Sequence, residues 1–157
     1  MLFSDDMKAL IELMEKHHVL YALVGGFAVN YYGYVRTTQD IDFLIYPSKY
    51  NAEKMMSALT EFGFGNAGIP EEYFTREGTA IHIGVEPNRI DFLTHLVGVD
   101  NNVIFNNLEN VIIDGIATKM ISFHDLVCAK RNSERLKDKA DAEELEKVNK
   151  FPPNPGG

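Results

Sequence analysis

Cations and cysteines are both scarce in this chain. Fifteen Lys and Arg stand against 23 Asp and Glu in 157 residues, a formal net charge of −8. That balance argues against indiscriminate binding to nucleic acid or to an anionic membrane surface, although it leaves room for a local basic groove. The single cysteine, Cys128, excludes an internal disulfide and suits a reducing compartment. No run approaches the roughly 20 apolar residues that span a bilayer. The opening MLFSDDMK lacks the basic start of a signal peptide. A cytoplasmic protein with no membrane partner is therefore expected. No repeat and no linker divides the chain, and its 45% apolar content suffices for one core. Residues 1–150 read as a single domain, and FPPNPGG at 151–157 as a disordered tail.

What is present begins with periodicity. Met7, Leu10, Ile11 and Met14 recur at helical spacing behind Ser4, with Asp5 and Asp6 favourable in the first turn and an end near His17-His18. Val19 to Val24 reads as a buried strand, Gly25-Gly26 as a turn, and Phe27 to Tyr32 as a short helix closed by Gly33. Asp40 to Tyr46 is a second strand. Tyr50 to Phe62 is a helix ended by Gly63 and Gly65. Thr79 to Val85 and Arg89 to Leu93 flank the turn Glu86-Pro87-Asn88 as a hairpin, and a second strand pair surrounds Asp114-Gly115. Helices return at Ser122 to Asn132 and Glu134 to Val148. The order predicts an α+β fold, a mixed sheet with packed helices and a helical C-terminal segment, rather than regular βαβ alternation.

Thirteen residues separate Gly26 from Asp40-Ile41-Asp42. Side chains alternate along a strand, so both carboxylates face one way while Ile41 and Phe43 face the core. Two carboxylates side by side repel unless a cation joins them, which suggests one or two magnesium ions. A third acid is expected from another element. Asp91, among the apolar residues of Arg89-Ile90-Asp91-Phe92-Leu93, is the best candidate, since an unpaired charge there would be costly. If its strand lies beside the Asp40 strand, three carboxylates converge and can hold two ions about 3.5–4 Å apart. Gly25-Gly26 would let backbone amides approach a phosphate at a helix N-terminus.

The glycine pair followed by R-x-T-x-D-h-D-h (Arg36, Thr38, Asp40, Asp42) resembles the signature of the polymerase-β-like nucleotidyltransferase superfamily. The stretch from Leu126 to Leu145 is similar to the end of its small bacterial toxin and abortive-infection members, in Lys130 and in the R-x-K-D-x-x-D pattern of Arg135, Lys137, Asp138 and Asp141. The resemblance covers roughly residues 20–147. It implies a nucleotidyltransferase fold, with Asp40 and Asp42 binding Mg²⁺ or Mn²⁺ that carries a nucleoside triphosphate such as ATP. It also implies Asp91 as third ligand and base, and Gly25 and Gly26 cradling the triphosphate. Arg36, Thr38, Lys130 and Asp138 join them as nucleotide-binding candidates. Attack on the α-phosphate by an acceptor hydroxyl would release pyrophosphate. The acceptor is an RNA end, a protein or a small molecule, and a cognate toxin or antitoxin is a further possible partner. Many members carry Gly-Ser in the turn. Gly26 stands in that place here, so phosphate contact falls to amides and to cations such as Arg36 or Lys130.

Each signal has a plainer reading. A lone D-x-D is often a solvated strand end, and the plainer reading of Asp91 is an edge-strand surface residue. Gly25-Gly26 suits a structural turn. It lacks the third glycine of a dinucleotide fingerprint. The charges from Lys130 to Asp141 fit a solvated helix face, with Glu134/Asp138 at helical spacing, while Asp138 alternatively orients Lys130 or Arg135 toward phosphate. His17-His18 suits a helix C-terminus, His82, His95 and His124 show no ligand spacing, and Cys128 reads as packing. The competing class is a catalytically quiet nucleotide- or partner-binding module on the same fold.

Overall fold

The computed structural model describes residues 3–35, 37, 40–64, 68–85 and 88–150. The expected contacts of Arg36 and Thr38, the Glu86-Pro87 turn, the helix stop at Gly65 and the disordered tail at 151–157 all lie outside the described residues.

Ser4 caps the first helix, α1 (Asp5–Lys16), by accepting a hydrogen bond from the Met7 amide at 3.2 Å. Its apolar stripe Met7, Leu10, Ile11 and Met14 is buried. The chain continues through β1 (Tyr21–Val24), α2 (Gly25–Tyr31), β2 (Ile41–Ile45) and α3 (Lys49–Phe62). Ser48 caps α3, and Gly63 ends it with φ +104°. A short 3₁₀ turn (Glu71–Phe74) leads to β3 (Ala80–Ile83) and β4 (Ile90–Leu93), followed by α4 (Asn101–Asn106). The β5 (Glu109–Ile113) to β6 (Ile116–Met120) turn has Asp114 at φ +52° and Gly115 at φ +79°, the two left-handed positions that a tight hairpin requires. Two helices, α5 (Phe123–Arg131) and α6 (Leu136–Lys150), close the fold.

The six strands form one mixed sheet in the order β3-β4-β2-β1-β6-β5. β1 runs antiparallel to β2, β2 parallel to β4, and β4 antiparallel to β3. β1 lies parallel to β6 and β6 antiparallel to β5. This is the expected α+β architecture. Tyr21, Leu23, Ile41, Phe43, Leu44, Ile45 and Phe92 are fully or almost fully buried at its centre. Asn51, on α3, is 1% exposed yet satisfied. Its Oδ1 accepts from the Leu20 amide at 2.7 Å and its Nδ2 donates to the Leu20 and Tyr46 carbonyls at 3.0 and 2.9 Å, pinning α3 to the ends of β1 and β2. No helix among the described residues is long and apolar enough to cross a membrane.

Two short elements escape sequence periodicity, the 3₁₀ turn and α4, because four and six residues complete too little of a helical stripe to be recognised. The last helix begins at Leu136 rather than Glu134. Glu134 and Asp138 are therefore not a helical pair, which corrects that part of the solvated-face reading.

Candidate active site

Register builds the centre of the site. Val24 pairs with Asp42, Asp42 with Asp91, and Asp91 with His82, so β1, β2, β4 and β3 contribute one continuous row. Residues directly opposite each other across neighbouring strands share a face. Asp42 and Asp91 therefore meet, and Asp40 and Arg89, each two residues earlier, extend from the same side. Asp91 is not on an edge strand: β4 lies between β2 and β3, and Asp91 is 7% exposed.

Gly25 follows Val24 into α2 with φ +67°. A Cβ built there would lie 2.2 Å from Asp42 Oδ2, so only glycine lets the chain pass this close to the carboxylate. Gly25 and Gly26 thus open α2 directly over Asp42, where a separate turn ahead of the helix was expected.

A cavity of about 620 Å³ gathers these residues. Gly25, Gly26, Asp40, Asp42, Arg89 and Asp91 line its base, and Lys130, Ser133, Arg135, Lys137 and Asp138 line the α5–α6 side. Leu93, Leu96, Val97, Leu126 and Ala129 add apolar lining. Every candidate site residue within the described residues lies on this cavity. Sequence spacing alone could not have joined Lys130 and Asp138 to Asp42.

Electrostatics separate the two sides. Burial first, then the charge of Asp91 and a hydrogen bond with it, push the Asp42 carboxyl up to about 7, against the pull of Lys130. On the other side Lys130 Nζ lies 2.9 Å from Asp138 Oδ1 and 3.2 Å from Asp141 Oδ2. Ser133 Oγ donates to Asp138 Oδ2 at 2.7 Å. Burial pushes Asp138 upward, but the Ser133 hydrogen bond and the Lys130 ion pair outweigh it and hold its carboxyl below the usual carboxylate range. Asp138 is therefore paired with Lys130, and both line the cavity.

Two residues of the centre carry no signal of their own in the sequence. Arg89 Nε and Nη2 donate to Asp91 Oδ1 and Oδ2 at 2.9 and 3.1 Å, and Nη2 lies 3.3 Å from Asp40 Oδ2. His82 Nδ1 stands 2.7 Å from Asp91 Oδ1. His82 lacks ligand spacing in the chain, yet the β3–β4 register sets it against the acid. An alternation argument applied to Arg89 and Asp91, two apart on one strand, would have found the first of these.

The donor set suits a hard cation, since Asp40, Asp42 and Asp91 offer carboxylate oxygens and magnesium is commonly held by one or two carboxylates plus phosphate oxygens and water. Among the described residues no group of three or more acidic, histidine or cysteine side chains could hold a metal ion as it stands. Arg89 lies between Asp40 and Asp91 instead. The chemistry fits a cation carried in with phosphates better than a dedicated protein cage.

A six-stranded mixed sheet with helices in this order is an α+β nucleotidyltransferase fold. The chain belongs to the family of nucleotidyl transferases of unknown function (DUF2204), whose model matches residues 3–154. That match bears out the nucleotidyltransferase part of the resemblance and does not extend to the toxin-like branch. No curated protein matches the chain.

Proposed function

We propose that this chain is a metal-dependent nucleotidyltransferase. It moves a nucleoside monophosphate from a triphosphate to an acceptor hydroxyl. The hydroxyl oxygen bonds to the α-phosphorus, the bond to the β-phosphate oxygen breaks, pyrophosphate leaves, and the hydroxyl proton passes to Asp91. Asp40, Asp42 and Asp91 would hold Mg²⁺, or Mn²⁺ in its place, which when bound neutralises phosphate charge and polarises the reacting oxygens. Gly25 and Gly26 present amides to the triphosphate. Lys130, held by Asp138 and Asp141, offers its charge to the same phosphates. Such a transfer is mainly positioning and charge neutralisation.

The observation that supports this reading is the row in which Asp42 meets Asp91 beneath Gly25. Asp42 is pushed up to about 7 by burial and by its neighbouring acid. A buried acid set against a half-buried one destabilises the fold unless a ligand uses them. Acceptor candidates are an RNA end, a partner protein, as in a toxin–antitoxin pair, or a small molecule. Incubation with labelled ATP or another triphosphate, magnesium, total RNA and cell protein tests both the transfer and the acceptor. Label on an acceptor that is lost in Asp42→Asn supports the reading. No label on any acceptor with any of the four nucleotides would sink it.

One observation favours a second reading, a binding module without turnover: Asp91, the proposed base, already receives Arg89 and His82. Metal-dependent triphosphate binding without transfer would select it.

A further inference from the structure

Arg89 is a cation set between two of the proposed metal ligands, and the role argued for it rests on the metal-dependent reading of the site. Its guanidinium grips both oxygens of Asp91, at 2.9 and 3.1 Å, and reaches Asp40 at 3.3 Å. A guanidinium fork that engages both oxygens of Asp91 and reaches Asp40 competes with a divalent ion for these carboxylates, by like charge and for the lone pairs turned toward the cavity. Arg89 is also 32% exposed at the side chain and lines the cavity, whereas Lys130, at 14%, is enclosed between Asp138 and Asp141. The planar fork that matches a carboxylate matches phosphate equally well.

We propose that Arg89 is an internal counter-cation that is exchanged for metal. Without metal its guanidinium neutralises Asp40 and Asp91. When a divalent ion takes those oxygens, the freed fork turns to the triphosphate in the same cavity. His82, on the solvent side of Asp91 at 2.7 Å, keeps that carboxylate oriented through the exchange. Metal and triphosphate then bind with linked affinities, because each favours the state in which Arg89 has left the acids. Metal alone binds weakly, having to displace an arginine from its carboxylate partners.

The test measures binding rather than turnover, with Mn²⁺ alone and with Mn²⁺ plus inorganic tripolyphosphate, by calorimetry and Mn²⁺ spin resonance. Arg89→Ala is expected to bind Mn²⁺ alone about tenfold more tightly than the wild type, and tripolyphosphate in the presence of Mn²⁺ about tenfold more weakly, the scale of one charge-assisted contact. A merely structural arginine would weaken both. Weaker Mn²⁺ binding in Arg89→Ala, or tripolyphosphate binding that does not change, overturns the proposal. Arg89→Lys keeps a charge without the fork. It is expected to shift both affinities in the same directions by less, and it carries the test alone if the alanine variant does not fold. Loss of Mn²⁺ binding in Asp42→Asn shows separately that the metal reading holds. Absence of Mn²⁺ binding in the wild type and in both Arg89 variants defeats that reading and this one together.

Discussion

The two sides of the cavity bury acids in opposite ways. On the sheet side Asp42 and Asp91 meet in register, and the pair drives the Asp42 carboxyl up to about 7. On the helical side Asp138 and Asp141 share Lys130, and Asp138 is held below the usual carboxylate range. The helical cluster satisfies itself: cation, acids and the Ser133 hydroxyl leave a structural unit that also presents a charge to the cavity. The sheet cluster is arranged differently: Arg89 bridges Asp40 and Asp91, while the Asp42 carboxyl is raised against its neighbouring acid. An acid held by its cation helps hold a fold together, and a carboxyl raised by burial and a neighbouring acid is a candidate functional group.

Breaking the comparison should give its largest effect in activity. Asp42→Asn is expected to lower labelled nucleotide transfer by at least about a thousandfold, as removal of a central electrostatic group does. Its melting temperature should rise, because the like-charge contact disappears. A variant that melts lower than wild type would show that Asp42 is structural after all. Lys130→Met should do the reverse, destabilising the fold by about 3 kcal/mol as it strands the buried Asp141 and the half-buried Asp138. Adding Asp138→Asn and Asp141→Asn should restore much of that stability in chemical denaturation.

Gly25→Ala sets a Cβ against Asp42 and places alanine at a positive φ, for a cost of about 1–3 kcal/mol. Combination with Asp42→Ala should recover the steric part of that loss. The pH dependence separates the two sides by sign. Asp42 has a folded value near 7 against an ordinary 3.8, so metal-free stability should fall as pH rises from about 4 to 7 and level off above. Added Mg²⁺ should raise the melting temperature more at pH 8 than at pH 5.5. Asp138 contributes in the opposite sense, with stability present above the ordinary carboxylate value and lost as pH falls through its depressed one. Melting curves of Asp42→Asn and Asp138→Asn across pH should each lose one slope and keep the other. The smallest effect is expected at the exposed Lys16–Glu61 pair, where Lys16→Ala should leave the melting temperature essentially unchanged.

Long elements with a full apolar stripe or alternation were legible from composition and spacing. Met7, Leu10, Ile11 and Met14 mark α1, Ile41 and Phe43 mark β2, and Asp114-Gly115 marks the hairpin. Short elements were not, because α4 and the 3₁₀ turn hold their shape through tertiary contacts rather than local pattern. The same contrast runs through the site. Asp40, Asp42 and Gly25 were readable because they lie within one local strand–helix–strand run. Arg89 was within reach of the same alternation, two residues before Asp91, but His82 was not, since its meaning comes from the β3–β4 register.

By itself the sequence determined that Asp40 and Asp42 share a face and that a glycine pair turns the chain after the first strand, for alternation and backbone sterics act over a few residues. It also carried the acid, Asp91, that could join them. Only the tertiary structure decided that β4 lies parallel to β2 with Asp91 opposite Asp42, and that Arg89 and His82 reach its carboxylate. It alone brought Lys130 and Asp138 to the same cavity. Strand order and register are settled by the packing of the whole sheet, between residues dozens of positions apart, and no local pattern encodes them.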